Sequence, residues 1–223
     1  MDEWPSTGTW STSSASCSSS ACCLHRLRPP EPVGTEVSRW GEHGRRPVPD
    51  ASNRELFART VGCATTEIAC PAADAWALVA DVTRIGEFSP ECVGARWMGP
   101  DRGAHVGARF EGTNRARTAT GELIWVRPCT IVVADPGRSF GFVVGDRFDG
   151  NPATHWLYEF ASATPGTCRV TVTFRHLPDG LSGLRLLADS DLENAENFVA
   201  ARLRELTEGM QTTLGHMKAV LEN

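Results

Sequence analysis

The chain has 223 residues, 41% of them apolar, and a formal net charge of -5. That is enough for one domain with a sizeable core, and it offers no basic footprint for nucleic acid. No apolar run reaches the roughly 18 residues of a membrane-spanning helix, and the start lacks the basic-then-apolar order of a secretory signal. A cytoplasmic protein without stable membrane insertion is therefore expected. There are eight cysteines. Cys17, Cys22 and Cys23 sit near the start and the rest are scattered. With no CxxC and no zinc-finger spacing, they read as reduced thiols, and no metal is expected.

Residues 1–54 differ in character from the rest. Eleven of the first twenty residues are Ser or Thr, and Pro29, Pro30, Pro32, Pro47 and Pro49 follow. Such a segment buries too little apolar surface to offset its ordering entropy, so a disordered tail is expected. It is also compatible with a misassigned translation start, since nothing after it depends on it. The folded domain is expected over residues 55–223.

Residues 57–69 read as a strand. Pro71 suits a first helical position, and Ala75, Trp76, Leu78 and Val79 make a short apolar helix. Val82, Ile85 and Phe88 continue into a second one. Six strand-like segments follow, over residues 92–98, 106–114, 119–134, 139–144, 154–161 and 168–176. Turns such as Asp135-Pro136-Gly137 and Thr164-Pro165-Gly166 separate them. Pro128 marks a bulge or an edge. Residues 190–222 read as one long helix, opened by a capping box of Ser190 and Glu193. Its stripe is Leu192, Ala195, Val199, Leu203, Leu206, Met210, Leu214, Met217 and Leu221. A meander of short strands indicates an antiparallel sheet. The expected class is α+β, a curved antiparallel sheet of about seven strands around a long C-terminal helix, with two short helices after the first strand.

Five blocks carry a resemblance: residues 68–82 with Pro71 and Trp76, 88–92, 107–115, 156–160 and 166–171. Together they resemble the START/Bet v 1-like (SRPBCC) superfamily, particularly its bacterial polyketide cyclase/dehydrase branch, over residues 56–222. The resemblance implies a helix-grip fold with a cavity between sheet and helix. It implies no single activity, because this superfamily hosts cyclases, aromatases, lipid carriers, receptors and chaperone activators.

Strand parity nominates the cavity wall. Phe110 puts Asn114 inside. Trp156 and Phe160 face inward with Tyr158, and Val172 and Phe174 bring His176 to the inner side of a strand end. Trp125 is a further candidate, and the helix offers Asn194, Asn197, Phe198, Ala201 and Met210. Tyr158, the only tyrosine, could donate to a carbonyl and stabilise an enolate. His176 could serve as acid or base. Arg115 could hold a carboxylate or phosphate. Each has a plainer structural role as a core aromatic, a strand-end histidine or a solvated charge. No GxSxG, HExxH or phosphate-binding loop is present, so no cofactor is expected. Two functions stand: binding of a hydrophobic or aromatic small molecule, or cyclisation and dehydration of a polyketide-like substrate. A helix-mediated dimerisation or chaperone-regulating module is a third. Monomer and homodimer are both open.

Overall fold

The computed structural model describes residues 46–100, 102–118 and 121–223. The Ser/Thr-rich stretch and its cysteines lie outside the described residues. Seven strands form one antiparallel sheet in the order β1-β7-β6-β5-β4-β3-β2. They are β1 (Val61–Ile68), β2 (Cys92–Trp97), β3 (Arg109–Thr118), β4 (Gly121–Asp135), β5 (Ser139–Gly145), β6 (Pro152–Thr164) and β7 (Thr167–His176). Strands β2 to β7 are a meander, and β7 returns to pair with β1. The two edge strands are joined through α2 (Ala72–Ala80) and a 3₁₀ helix (Val82–Glu87). The expected α+β helix-grip architecture is what the chain adopts.

Period-two alternation builds the core. On β7, Cys168, Val170, Val172 and Phe174 are all buried. Across β6 they meet Ser162, Phe160, Tyr158 and Trp156, and β5 continues the row with Phe140 and Phe142. One side of the sheet is therefore a continuous apolar surface. The long helix α4 (Ala195–Leu221) covers it, burying Leu206, Met210, Leu214 and Met217. Its 27 residues span about 40 Å at the usual rise. The helix makes its closest approach to β1, where Gly62 allows it: a Cβ there would lie 2.9 Å from Leu203 Cδ1.

The structure corrects the reading of three segments. Residues 57 and 58 are not strand. Asp50 caps a short turn, Ala51–Asn53, which continues into α1 (Arg54–Ala58). That places Phe57 in the core, with its ring 4.4 Å from the ring of His176. The long helix does not begin at Ser190. Residue Ser182 caps a separate helix, α3 (Gly183–Ser190), and Asp191 breaks it with a non-helical backbone. The Ser190 hydroxyl donates to Leu187 O at 2.7 Å rather than to a capping box. Instead, the Asp191 carboxylate accepts from the Asn194 backbone and side chain, at 3.2 and 2.9 Å. Short polar side chains compete with helical bonds in this way, and the run Asp189-Ser190-Asp191 concentrates them. Leu192 is consequently exposed. Finally, Val106 is exposed and precedes β3 instead of starting it. The irregularity in β4 falls between Ile131 and Val133. Pro128 stands where β4 loses its β5 partner, since that pairing ends at Cys129. A residue with no N–H is tolerated there.

Helix α3 is fastened by a buried charge. Arg185 is fully buried. Its Nε donates to both oxygens of Asp189 at 2.9 and 3.0 Å. Its Nη1 and Nη2 donate to Pro178 O at 2.6 Å and Asp50 O at 2.5 Å. The guanidinium also lies 4.9 Å from the Phe57 ring. Asp189 in turn accepts from Asp50 N and Asn53 Nδ2, at 3.0 and 2.8 Å. Residues 50–53 thus supply both a donor and an acceptor that the buried pair requires. Gly180 sets the approach of α3, because a Cβ there would run into the backbone of Ala153 on β6.

His176 belongs to the same assembly. Its Nδ1 lies 2.7 Å from Leu177 O, which can only accept, so Nδ1 carries the proton. Nε2 then accepts from the Ser182 hydroxyl at 2.7 Å, and that oxygen accepts from Arg185 N at 3.0 Å. Burial pushes the imidazole down to about 4, against the bond to Leu177.

Removing one partner of a buried pair leaves an uncompensated charge. Arg185→Met is expected to cost about 3–5 kcal/mol in urea unfolding, and a chain beginning at Leu56 should melt several degrees lower, since it lacks Asp50 and Asn53. An unchanged melting temperature in both would deny the network a stabilising role. A depressed histidine pKa means the unfolded chain takes up a proton first as pH falls. Stability from His176 should be complete above its unfolded value near 6.5, and decline until about pH 4. The full loss is about 3 kcal/mol. Comparing unfolding of the wild type and His176→Gln across that range isolates it, because the variant lacks this component.

Candidate functional site

The concave face of the sheet and α4 do not close on each other along their whole length. Between them lies a cavity of about 800 Å³. Phe110, Phe142, Trp156 and Phe174 form its floor, and Leu206, Met210 and Thr213 its roof. Phe110 meets Phe142 at 5.3 Å and Trp156 meets Phe174 at 5.1 Å, both edge to face. Leu184, Leu186 and Leu187 of α3 close one end; Leu123 and Trp125 of β4 extend the wall beyond β5. The other half of the concave face, under α2, is packed by Ile68, Leu78, Phe160 and Val172.

That division sorts the nominated residues. Phe110, Asn114, Trp125, Trp156, Tyr158, Phe174, His176 and Met210 line the cavity. Phe160 and Val172 point inward but are sealed in the packed half. Asn194, Asn197, Phe198 and Ala201 are not on the wall. The start of α4 runs past the sheet and buries Ala195 and Val199 against Phe57 and Ala188. Arg115 is on the outer face, half exposed, 3.6 Å from Glu122. Placing Asn114 inside forces its neighbour out.

The polar groups do not converge. His176 pairs with Thr154 and Tyr158 with Val172, so the two lie roughly 13 Å apart along the sheet, at about 3.3 Å per residue. Asn114 on β3 is three strands from Tyr158. Both ring nitrogens of His176 are engaged by Leu177 and Ser182, so it reaches a ligand only through the serine. Tyr158 differs. Among the described residues no group hydrogen-bonds its hydroxyl, and no buried side-chain polar atom lacks a partner. The hydroxyl therefore opens on the cavity. Burial, with the Cys92 thiol nearby, raises its pKa well above the ordinary phenol range, so it is a donor at all physiological pH values.

Sequence reasoning passed over several wall residues. Arg202 clamps both oxygens of Glu91 at 2.8 and 2.7 Å, tying α4 to the loop before β2. Arg127, Asp146 and Arg147 line the wall near the β5–β6 loop. The parity that places Trp125 inside also places Arg127 there, two residues on. Cys92 and Cys129 face the cavity as free thiols. Burial pushes them up to about 11 and about 12, so neither is a thiolate. Among the described residues no group of three His, Cys, Asp or Glu side chains is placed to hold a metal ion. Nor is any helix among them long and apolar enough to cross a membrane.

Known structures share this architecture. A polyketide cyclase-like protein from Corynebacterium glutamicum is 29% identical, with 73% of this chain and 91% of that one covered at a TM-score of 0.51. A Mycobacterium smegmatis protein, Ms6760, is 19% identical over 74% of this chain and 93% of its own, with a TM-score of 0.50. The di-domain ARO/CYC BexL from the BE-7585A biosynthetic pathway is 18% identical over 73% of this chain and 50% of its own, also at 0.50. At such identity the last two speak for the fold alone. No curated protein matches the sequence. The profile of one family, described as polyketide cyclase / dehydrase and lipid transport, matches residues 62–222. Those residues take in the whole sheet from the second residue of β1 and all of α4, and the chain belongs to that family.

Proposed function

We propose that the domain binds a hydrophobic or aromatic small molecule, polyketide- or lipid-like, between the sheet and α4. One observation carries this reading: a cavity of about 800 Å³ whose floor is aromatic and whose roof is mostly aliphatic. A space of that size and lining suits burial of most of a drug-sized apolar ligand. The wide separation of Asn114, Tyr158 and His176 favours holding over transforming. The same reading sets the domain in the cytoplasm, as a monomer or homodimer; the free thiols of all five described cysteines support a reducing setting.

A second reading, cyclisation or dehydration of a poly-β-ketone, has one observation in its favour. The Tyr158 hydroxyl is a protonated donor without a protein acceptor among the described residues, facing the cavity. It could bond a ligand carbonyl and stabilise the enolate formed on proton loss from the adjacent carbon.

Native mass spectrometry of the purified protein and titration with the neutral dye Nile red test the first reading. One-to-one binding is expected. Met210→Trp should intrude on the cavity and weaken binding about tenfold, at a cost of about 1–3 kcal/mol in stability for the added bulk. Unchanged binding in the folded variant would place the ligand elsewhere. For the second, Tyr158→Phe should cut turnover of a poly-β-ketone by about a hundredfold, the usual cost of one oxyanion donor. An unchanged rate would remove Tyr158 from the chemistry.

A further inference from the structure

Two of the charges around the cavity are matched within the protein. Arg202 has Glu91. Asp146 is wholly committed: its Oδ1 accepts from the N–H groups of Phe148, Asp149 and Gly150 at 2.9, 2.9 and 3.1 Å. Its Oδ2 accepts from Arg46 Nε at 3.2 Å. Arg127 has no such counterpart. Its one hydrogen bond runs from Nη1 to the carbonyl of its own neighbour Val126, at 2.8 Å. Among the described residues no carboxylate lies within ion-pair distance of it.

We propose that Arg127 is the receptor for the anionic head of an amphipathic ligand, a carboxylate or phosphate monoester whose apolar body lies on the aromatic floor. This rests on the ligand-binding reading above. Three features of the cavity wall lead to it. The alternation of β4 turns Leu123, Trp125 and Arg127 inward to the cavity while Ile124 and Val126 stay exposed outside. Directly across β3 from Arg127 is Gly112, which has no side chain to occupy the adjoining space. The only atom that a Cβ on Gly112 would approach is the Cys92 Sγ, at 3.3 Å. A half-buried guanidinium is costly where it is unmatched, and burial, with the like charge of Arg147 on the same wall, drives its pKa down against the smaller pull of Asp146. A bound anion reverses both costs, since the planar fork of an arginine takes two oxygens of a carboxylate or phosphate at once. Asp146, the acid whose charge acts on Arg127, does not do so, because its oxygens are taken by its own loop and by Arg46.

The test titrates the full chain with lauric acid, methyl laurate and dodecyl phosphate, below their micelle concentrations at pH 7.5, reading displacement of Nile red. The acid or the phosphate should bind about tenfold or more tightly than the ester, as charge-assisted bonds in a partly dry site require. A preference for the phosphate points to phosphorylated ligands, and a preference for the carboxylate to free acids. Arg127→Gln should bring the anions to the affinity of the ester and leave the ester unchanged. Arg127→Lys, which keeps the charge without the fork, should retain part of the preference. Equal binding of all three by the wild type would overturn this proposal while the cavity reading survives, and so would a preference that persists in Arg127→Gln. Failure of every ligand and of the dye would overturn both.

Discussion

A straight helix cannot follow a curved sheet, and that geometric constraint governs this protein. The concave face of the sheet is apolar from β7 across to β5, and exposing it to water is costly at about 25 cal/mol per Å². Helix α4 covers it, but it presses closely only on β1. Toward the middle strands helix and sheet diverge. Where α2 also packs on the sheet, side chains fill the gap. Where α2 does not reach, aromatic side chains line a space they do not fill. The cavity is what remains when two apolar surfaces of unlike curvature meet.

What closes the far end of that space is polar. Helix α3 contributes leucines to the wall, but its position is set by Arg185, Asp189 and Ser182. A buried arginine is a poor source of net stability, since desolvation cancels much of the attraction. It is a strict source of specificity, because each N–H needs an acceptor in one place. Two of those acceptors are backbone carbonyls, of Pro178 after β7 and of Asp50 ahead of β1. The network therefore joins chain segments far apart in sequence to the helix that ends the cavity. His176 is part of that join, which is why a residue that reads as a catalytic base is held neutral and bonded on both sides.

Inside the cavity, the polar groups are few and scattered. Tyr158 offers a hydroxyl near the middle of the sheet, and Arg127 a charge on the wall beyond β5. This spacing suits a ligand touched at distinct points along its length. It suits less well a reaction centre, where acid, base and oxyanion donors must meet on neighbouring atoms. The family spans both cyclase/dehydrase and lipid transport, and the same scaffold serves either by changing which polar side chains enter the apolar wall.

The sequence by itself determined the strands, their inward faces and the stripe of the long helix. These are local, periodic features, and Trp156, Tyr158, Val170, Val172 and Met210 obey the alternation that a half-buried element imposes. It also made Asn114 an inner residue and, by the same count, Arg115 an outer one, whose charge alone does not bring it to the cavity. Tertiary structure alone decided the rest. No periodicity distinguishes Phe174, on the cavity floor, from Val172, sealed beneath the short helices two residues away. That depends on where α2 lies across the sheet. Nor does any local pattern announce that residues 183–190 form a helix of their own, or that Asp50 completes the shell of Arg185 across 135 positions. Whether a charge is matched is a question about neighbours in space, and only the folded chain shows Asp146 taken and Arg127 left over.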